Sequence, residues 1–116
     1  MMNRGDIYLV DLEPAVGSEA NKQRPAVLVT NNAANRMARR AGRGVLAVVP
    51  VTSNVAHVRP FQVFLHSTEC GLKVDSKAQC EQIRALDFSR FGQQVGVVPP
   101  HTLKEIDRAL RQQLAL

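Results

Sequence analysis

Apolar residues in this chain come in short runs that turn-forming residues interrupt, and this pattern strongly limits the folds open to it. Five such runs are rich in β-branched residues or alternate apolar with polar side chains, as strands do. They cover residues 6–12, 26–30, 45–51, 61–66 and 93–99. The sequence therefore predicts a mostly antiparallel β-sheet.

Helical spacing occurs chiefly after Pro99 and Pro100. Leucine and isoleucine recur there at helical intervals, at Leu103, Ile106, Leu110 and Leu114. Thr102 followed by Glu105 has the spacing of a capping box, so we expect the helix to begin there. A shorter helix is expected within 31–44, whose four arginines fit RNA contacts and fit a solvated face equally well. A mainly β (α+β) fold follows: a small, twisted or partly closed β-barrel with a C-terminal α-helix.

Residues 72–86 alternate in polarity, which predicts one further strand with a single wet face. The apolar side of that alternation is Leu72, Val74, Ser76, Ala78 and Cys80. A helical turn ended by glycine is expected at 87–92. The segment 14–25 is polar and unusually long for a connection between strands, so it is a candidate binding lid.

Composition narrows the function classes. A chain of 116 residues fits one domain spanning 1–116, and a net charge of +5 favours a nucleic-acid partner over a merely soluble surface. Cys70 and Cys80 lack the spacing of a zinc site and are expected to pack as small apolar residues. No apolar stretch is long enough to cross a bilayer, which predicts a soluble, intracellular protein.

Catalytic motifs that depend on a metal or a phosphate loop are not evident. The ten acidic residues are scattered, which disfavours a metal-dependent nuclease. His57, His66 and His101 could form an acid–base pair, although a surface or capping role suits each of them better. Residue chemistry alone thus predicts a basic, β-rich domain with a functional loop.

Several separated stretches resemble, in order and spacing, the MazF (PemK-like) toxin family. They are "GDIYLVDLEPAVGSEANKQRPAVLVTN", "VVPVTSN", "PFQVFL" and "CEQIRALD", followed by the C-terminal helix. The resemblance implies an SH3-like or CcdB-like barrel and a cytoplasmic bacterial endoribonuclease that cuts single-stranded RNA within a short sequence. It also implies independence of metals, cofactors and the ribosome, a homodimer, and neutralisation by a cognate MazE-like antitoxin.

The resemblance carries two catalytic positions over to this chain. The family's arginine before the proline that opens the second strand corresponds to Arg24 in "QRPAV", and its threonine after the third strand corresponds to Thr52 in "VPVTSN". The acidic residue of "GSE" corresponds to Glu19, in a supporting role. Further candidates for supporting or RNA-binding roles are Ser18, Asn21, Lys22, Ser53, Gln79, Gln82 and Arg84.

Two questions stay open at the level of sequence. Gln79 and Gln82 are an odd number of residues apart, so a regular strand would send them to opposite faces unless a bulge intervenes. Two other functions also fit a basic barrel: a toxin of the same fold that binds DNA gyrase, and a plain RNA-binding module. The gyrase-binding toxins rely on a C-terminal tryptophan, and this chain contains no tryptophan.

Overall fold

A single antiparallel sheet organises the protein, whose computed structural model describes residues 2–14, 16–19 and 23–116. The strands in these ranges are β1 Asp6–Asp11, β2 Gln23–Leu28, β3 Val45–Thr52, β4 Gln62–Leu65, β5 Ser76–Gln79, β6 Arg84–Asp87 and β7 Phe91–Val97. The helices are α1 Asn32–Ala41, α2 Ser67–Cys70 and α3 Pro100–Leu114. Short 3₁₀ turns occupy Cys80–Gln82 and Phe88–Arg90.

Strand β3 is the centre of the sheet. It pairs with β2 along one edge, and along its other edge it pairs with β6 through Val45–Val48 and with β5 through Val51 and Thr52. The strand order is β4-β5-β3-β2-β1-β7, with β6 beside β3. The predicted class, mainly antiparallel β with a C-terminal helix, is confirmed. The described strands form an open sheet rather than a closed ring.

Pro50 lies inside β3, which extends to Thr52, one residue beyond the predicted run 45–51. The pairing with β6 stops at Val48, and the pairing with β5 starts at Val51. A proline at the junction between two partner strands deprives neither of a backbone donor, so the strand continues to Thr52.

Both faces of the sheet are buried, which explains why its central strands read as continuous apolar runs. Neighbouring residues of a strand point to opposite faces, and each face carries its own core. On the α3 face the core includes Ile7, Val27, Val49, Val51 and Ile106. On the α1 face it includes Tyr8, Val10, Ala26, Leu28, Ala38 and Leu46.

The single strand predicted for 72–86 is wrong: this segment contains β5, a 3₁₀ turn and β6. The turn at Cys80–Gln82 lets the two short strands pair with different stretches of β3. The predicted faces change accordingly, because Val74 is 56% exposed and Lys77 is buried.

The predicted start of the C-terminal helix is also wrong. Helix α3 begins at Pro100 after Pro99 as N-cap, and Thr102 is buried within the first turn. A proline fits this first position because the amide hydrogen it lacks would have no partner within the helix there.

Candidate functional site

Arg24 lies in strand β2, although the sequence analysis placed it in the preceding loop. β2 begins at Gln23, and Arg24 is paired with Val10 of β1. Val10 belongs to the core of the α1 face, so the half-buried Arg24 projects from that same face. The sheet therefore fixes the backbone from which the guanidinium extends.

Thr52 lies close to Arg24 because of the register between β2 and β3. Ala26 is paired with Pro50 and Val27 with Val49, and extending this register by two residues sets Arg24 opposite Thr52. Residues directly opposite on antiparallel strands share a face, with Cβ atoms about 4.5–5.5 Å apart. The two predicted catalytic side chains thus start from adjacent positions on the α1 face.

Lys77 is a neighbour of Thr52 that the sequence analysis missed. It is paired with Thr52 across β3 and β5, and the β2–β3 register, continued by two residues, adds Arg24 to the same row. Lys77 is only 9% exposed, and its Nζ donates a hydrogen bond of 2.5 Å to the carbonyl oxygen of His57. Among the described residues no carboxylate forms an ion pair with it. A buried cation with a neutral partner keeps a strong attraction for an anion.

The loop between β1 and β2 is held by side chains from the β5–β6 region. Gln82 Nε2 donates to the carbonyl oxygen of Ser18 at 3.0 Å, and Arg84 Nη1 donates to that of Leu12 at 3.3 Å. Arg90 also donates to the carbonyl oxygens of Asp11, the last residue of β1, and of Glu13 in the loop. Two residues predicted to contact RNA, Gln82 and Arg84, therefore anchor the candidate lid.

Glu19 organises a turn inside the same loop. Its Oε1 accepts a hydrogen bond of 2.5 Å from the Val16 amide, and its own amide donates to the Val16 carbonyl at 3.2 Å. This contact is compatible with a supporting role rather than with direct chemistry. Asn21 and Lys22, which the sequence analysis also assigned to RNA contacts, lie outside the described residues.

Gln79 and Gln82 are separated by the 3₁₀ turn, so the simple alternation of a strand does not apply to them. Gln79 is two residues after Lys77 in β5 and shares its face, which is the face of Thr52. The turn at Cys80–Gln82, rather than a β-bulge, interrupts the alternation of faces between the two glutamines.

Thr52 and Ser53 are adjacent in sequence but have different contacts. The hydroxyl oxygen of Thr52 accepts a hydrogen bond of 3.2 Å from the Asn54 amide. Ser53 follows the strand and lines an open cleft of about 700 Å³ together with Arg24, Pro25, Val51 and Gln93. Arg24 thus lies where this cleft meets the edge of the sheet that carries Thr52 and Lys77.

The two cysteines are buried and free, which confirms that they pack as apolar core residues. Burial raises the pKa of the Cys80 thiol to about 12, and burial also raises the pKa of Cys70. Across residues 2–14, 16–19 and 23–116, no three His, Cys, Asp or Glu side chains are grouped as metal ligands would be.

No helix in the described part of the chain is both long and apolar enough to span a membrane.

Comparisons of the sequence and of the structure with known proteins point to the same family. The family model for the PemK-like, MazF-like toxins of type II toxin–antitoxin systems matches residues 3–114. Endoribonuclease MazF9 of Mycobacterium tuberculosis is 56% identical over 116 residues, which are 100% of this chain and 98% of that protein. A crystal structure of MazF from Deinococcus radiodurans (Form-I) superimposes with a TM-score of 0.82 at 27% identity, covering 99% of this chain and 97% of that one. A MazE–MazF structure (Form-II) from the same organism gives a TM-score of 0.75 at 25% identity, covering 99% and 96%.

Proposed function

The chain belongs to the PemK-like, MazF-like toxins of type II toxin–antitoxin systems, and from this premise we propose that it is a sequence-specific endoribonuclease acting on single-stranded RNA. The observation that carries the proposal on this chain's own residues is the register of Ala26 with Pro50 and of Val27 with Val49, which when continued sets Arg24 opposite Thr52. By cutting mRNA, or tRNA or rRNA that carries the same short sequence, the protein would stop translation and growth.

The reaction uses the nucleophile that RNA itself carries. The 2′-hydroxyl attacks the adjacent phosphorus while the bond to the 5′-oxygen of the next nucleotide breaks, which leaves a 2′,3′-cyclic phosphate and a 5′-hydroxyl. Negative charge accumulates on the non-bridging oxygens of the phosphate as the new bond forms. A cation fixed beside these oxygens before the reaction lowers the barrier most.

Arg24 is suited to this electrostatic role. Its guanidinium offers forked donors that match two phosphate oxygens, and a pKa above about 12 for this side-chain type makes it a poor proton acceptor. Removal of one such donor commonly costs about 10²- to 10³-fold in rate. The Thr52 hydroxyl, which both donates and accepts hydrogen bonds, holds a phosphate oxygen or relays a proton.

Partners and location follow from the family. We propose a homodimer in the bacterial cytoplasm, inhibited by a MazE-like antitoxin. The MazE–MazF structure of the Deinococcus radiodurans relative supports the antitoxin partner. An acidic antitoxin segment would compete with RNA for the same positive charge and would fold as it binds.

The test is cleavage of a mixed-sequence RNA by the purified protein in the presence of EDTA, followed by analysis of the RNA ends. We expect discrete fragments with cyclic phosphate and 5′-hydroxyl ends, and at least a 10²-fold loss in rate for Arg24→Ala. Arg111→Ala is the matched control, since it removes the same charge from an exposed position on α3. Thr52→Ser should retain activity that Thr52→Val loses.

Two outcomes would overturn the proposal. Intact RNA in the presence of folded, antitoxin-free protein would exclude nuclease activity on the sequences offered and favour a binding function. Equal cleavage by Arg24→Ala and Arg111→Ala would show that the assigned arginine is not catalytic.

A further inference from the structure

The positive charge of this protein is concentrated in one short segment. Residues 31–44 contain four arginines and no acidic residue, while the whole chain has a net charge of +5. The remaining basic residues nearly balance the ten acidic ones. The excess charge of the protein therefore belongs largely to helix α1 and the residues that follow it.

These arginines form a stripe on one flank of α1. Arg36, Arg39 and Arg40 are exposed, and at 3.6 residues per turn they span an arc of about 100° beside the buried side of the helix at Asn35 and Ala38. Arg43 is also exposed, and its amide donates to the Ala38 carbonyl, which keeps it next to the last turn. We name Arg36, Arg39, Arg40 and Arg43 the arginine stripe.

The stripe lies on the same side of the sheet as the candidate catalytic row. Ala38 of α1 packs into the core of the α1 face, the face from which Arg24 and Thr52 project. Arg39 is near Tyr8 of β1: burial and the neighbouring Asp6 raise the pKa of Tyr8, and the charge of Arg39 opposes this rise. Tyr8 is two residues from Val10, the partner of Arg24. At about 3.3 Å per strand residue, Tyr8 and Val10 are about 7 Å apart along β1, so the stripe and the site occupy neighbouring parts of this face.

The stripe lacks internal neutralisation. In the part of the chain that the structure describes, the ion pairs join Arg4 to Asp107 and His101 to Glu69, and neither includes an arginine of the stripe. Like charges three and four residues apart on a helix repel one another, so these side chains gain from a polyanion that lies along them.

We propose that the arginine stripe is a second RNA-binding surface, which holds backbone phosphates of the substrate several nucleotides away from the bond that Arg24 and Thr52 cleave. This inference rests on the proposed function and adds to it a preference for long RNA over short oligonucleotides. Guanidinium groups bind phosphates regardless of base, so the stripe raises affinity without selecting the sequence.

An RNA strand fits the stripe better than a peptide does. Peptides that dock on a protein surface need apolar anchors as well as charge. The large apolar side chain exposed on α1 is Met37, 69% exposed, which at about 100° per residue lies about 60° from Arg40 and offers a single apolar contact at the border of the stripe. Charge is therefore the main feature that the stripe offers.

The test compares two RNAs that share one cleavage site, about 4 and about 25 nucleotides long, which lie at the lower limit and beyond the upper limit of the roughly 4–16 nucleotides that a small β-barrel nucleic-acid-binding domain occupies. The variant is Arg36→Gln/Arg40→Gln/Arg43→Gln. The control is Lys104→Gln/Arg108→Gln/Arg111→Gln, which removes the same charge at the same spacing from exposed positions of α3. For the long RNA we expect kcat/KM of the α1 variant to fall by about tenfold or more at physiological salt, with kcat kept. For the short RNA, and for the α3 control on both RNAs, we expect little change.

A binding measurement separates this inference from the proposed function. The long RNA carries a 2′-deoxy nucleotide at the cleavage site, so that it binds without reacting, and fluorescence anisotropy gives Kd against salt. The slope of log K on log salt should decrease in magnitude by about 2 in the α1 variant, since each lost phosphate contact on a single strand contributes about 0.7. This result is expected even if the wild-type protein proves not to cleave RNA.

Three results would overturn the inference. The first two are an α1 variant that binds and cuts the long RNA like the wild-type protein, and an α1 variant that loses activity equally on both lengths. Unchanged RNA binding together with weaker inhibition by the cognate antitoxin would assign the stripe to a protein partner instead.

Discussion

Replacing Gln82 with alanine distinguishes a residue that anchors the lid from a residue that reads a base. Gln82 Nε2 donates to the Ser18 carbonyl at 3.0 Å, so the variant removes one tether of the β1–β2 loop. A hydrogen bond of this kind contributes about 0.5–1.5 kcal/mol net, and the lower half applies here because water can hydrate the exposed Ser18 carbonyl once it is released. At 1.36 kcal/mol per tenfold, the closed loop should lose about two- to fivefold in relative population.

The assay has three measurements on Gln82→Ala and on Gln113→Ala, a control that removes an exposed glutamine of α3. We expect kcat/KM for RNA cleavage to fall by about two- to fivefold in Gln82→Ala alone, with the same bonds cut. Amide hydrogen exchange of residues 16–19 should accelerate by a similar factor, and the melting temperature should hardly change, because a surface loop opens without global unfolding.

A different pattern would refute this reasoning. If Gln82→Ala cuts RNA at new sequences while exchange at 16–19 stays unchanged, Gln82 reads a base and the tether is unimportant. A rate loss above about 10²-fold would equally exceed what one exposed hydrogen bond can supply.

Two further predictions concern buried groups. Lys77→Met should keep the melting temperature within a few degrees, because it removes a buried charge together with its hydrogen bond to His57. RNA cleavage should nevertheless fall by about tenfold or more, because positive charge beside Thr52 is lost. Thermal melting and single-turnover cleavage test this prediction, and full activity would contradict it. Burial raises the pKa of Cys80 to about 12, so its thiol should react with a thiol reagent at pH 8 only as fast as the protein opens. The stability of the native state should also decrease as pH rises from about 9 toward 12, because the folded state holds this proton more tightly than the unfolded chain. Prompt labelling of both cysteines in native protein would contradict this prediction.

Local signals in the sequence predicted much of the fold. The runs at 6–12, 26–30 and 45–51 gave β1, β2 and β3 within a few residues, because apolar stretches bounded by turn residues carry their own signal. The helix at 31–44 was found in the same way. The segment 72–86 was misread because the 3₁₀ turn between β5 and β6 depends on two strands sharing β3, which no local pattern reports.

The site was predicted in part. Arg24 and Thr52 were recognised by resemblance, but their opposition is a property of register between distant strands and cannot be read from either stretch alone. Lys77 was assigned to a wet face by alternation. In the structure its side chain is buried beneath the backbone at His57, as a long aliphatic stem allows. The sequence analysis placed the start of α3 at the capping motif of Thr102. The helix starts earlier, at Pro100, because proline is favoured at the first helical position.

The pairing of β1 with β7 has a consequence for how the protein is synthesised. Strand β1 lies beside β2, which carries Arg24, and Asp6 of β1 lies opposite Val97 of β7. β1 therefore acquires β7 as its second partner only when the ribosome has translated almost the entire chain. Contacts this distant in sequence form late and slowly. The sheet that presents Arg24 and Thr52 is thus incomplete on a nascent chain, and a truncated product would carry both residues without the completed sheet that holds them.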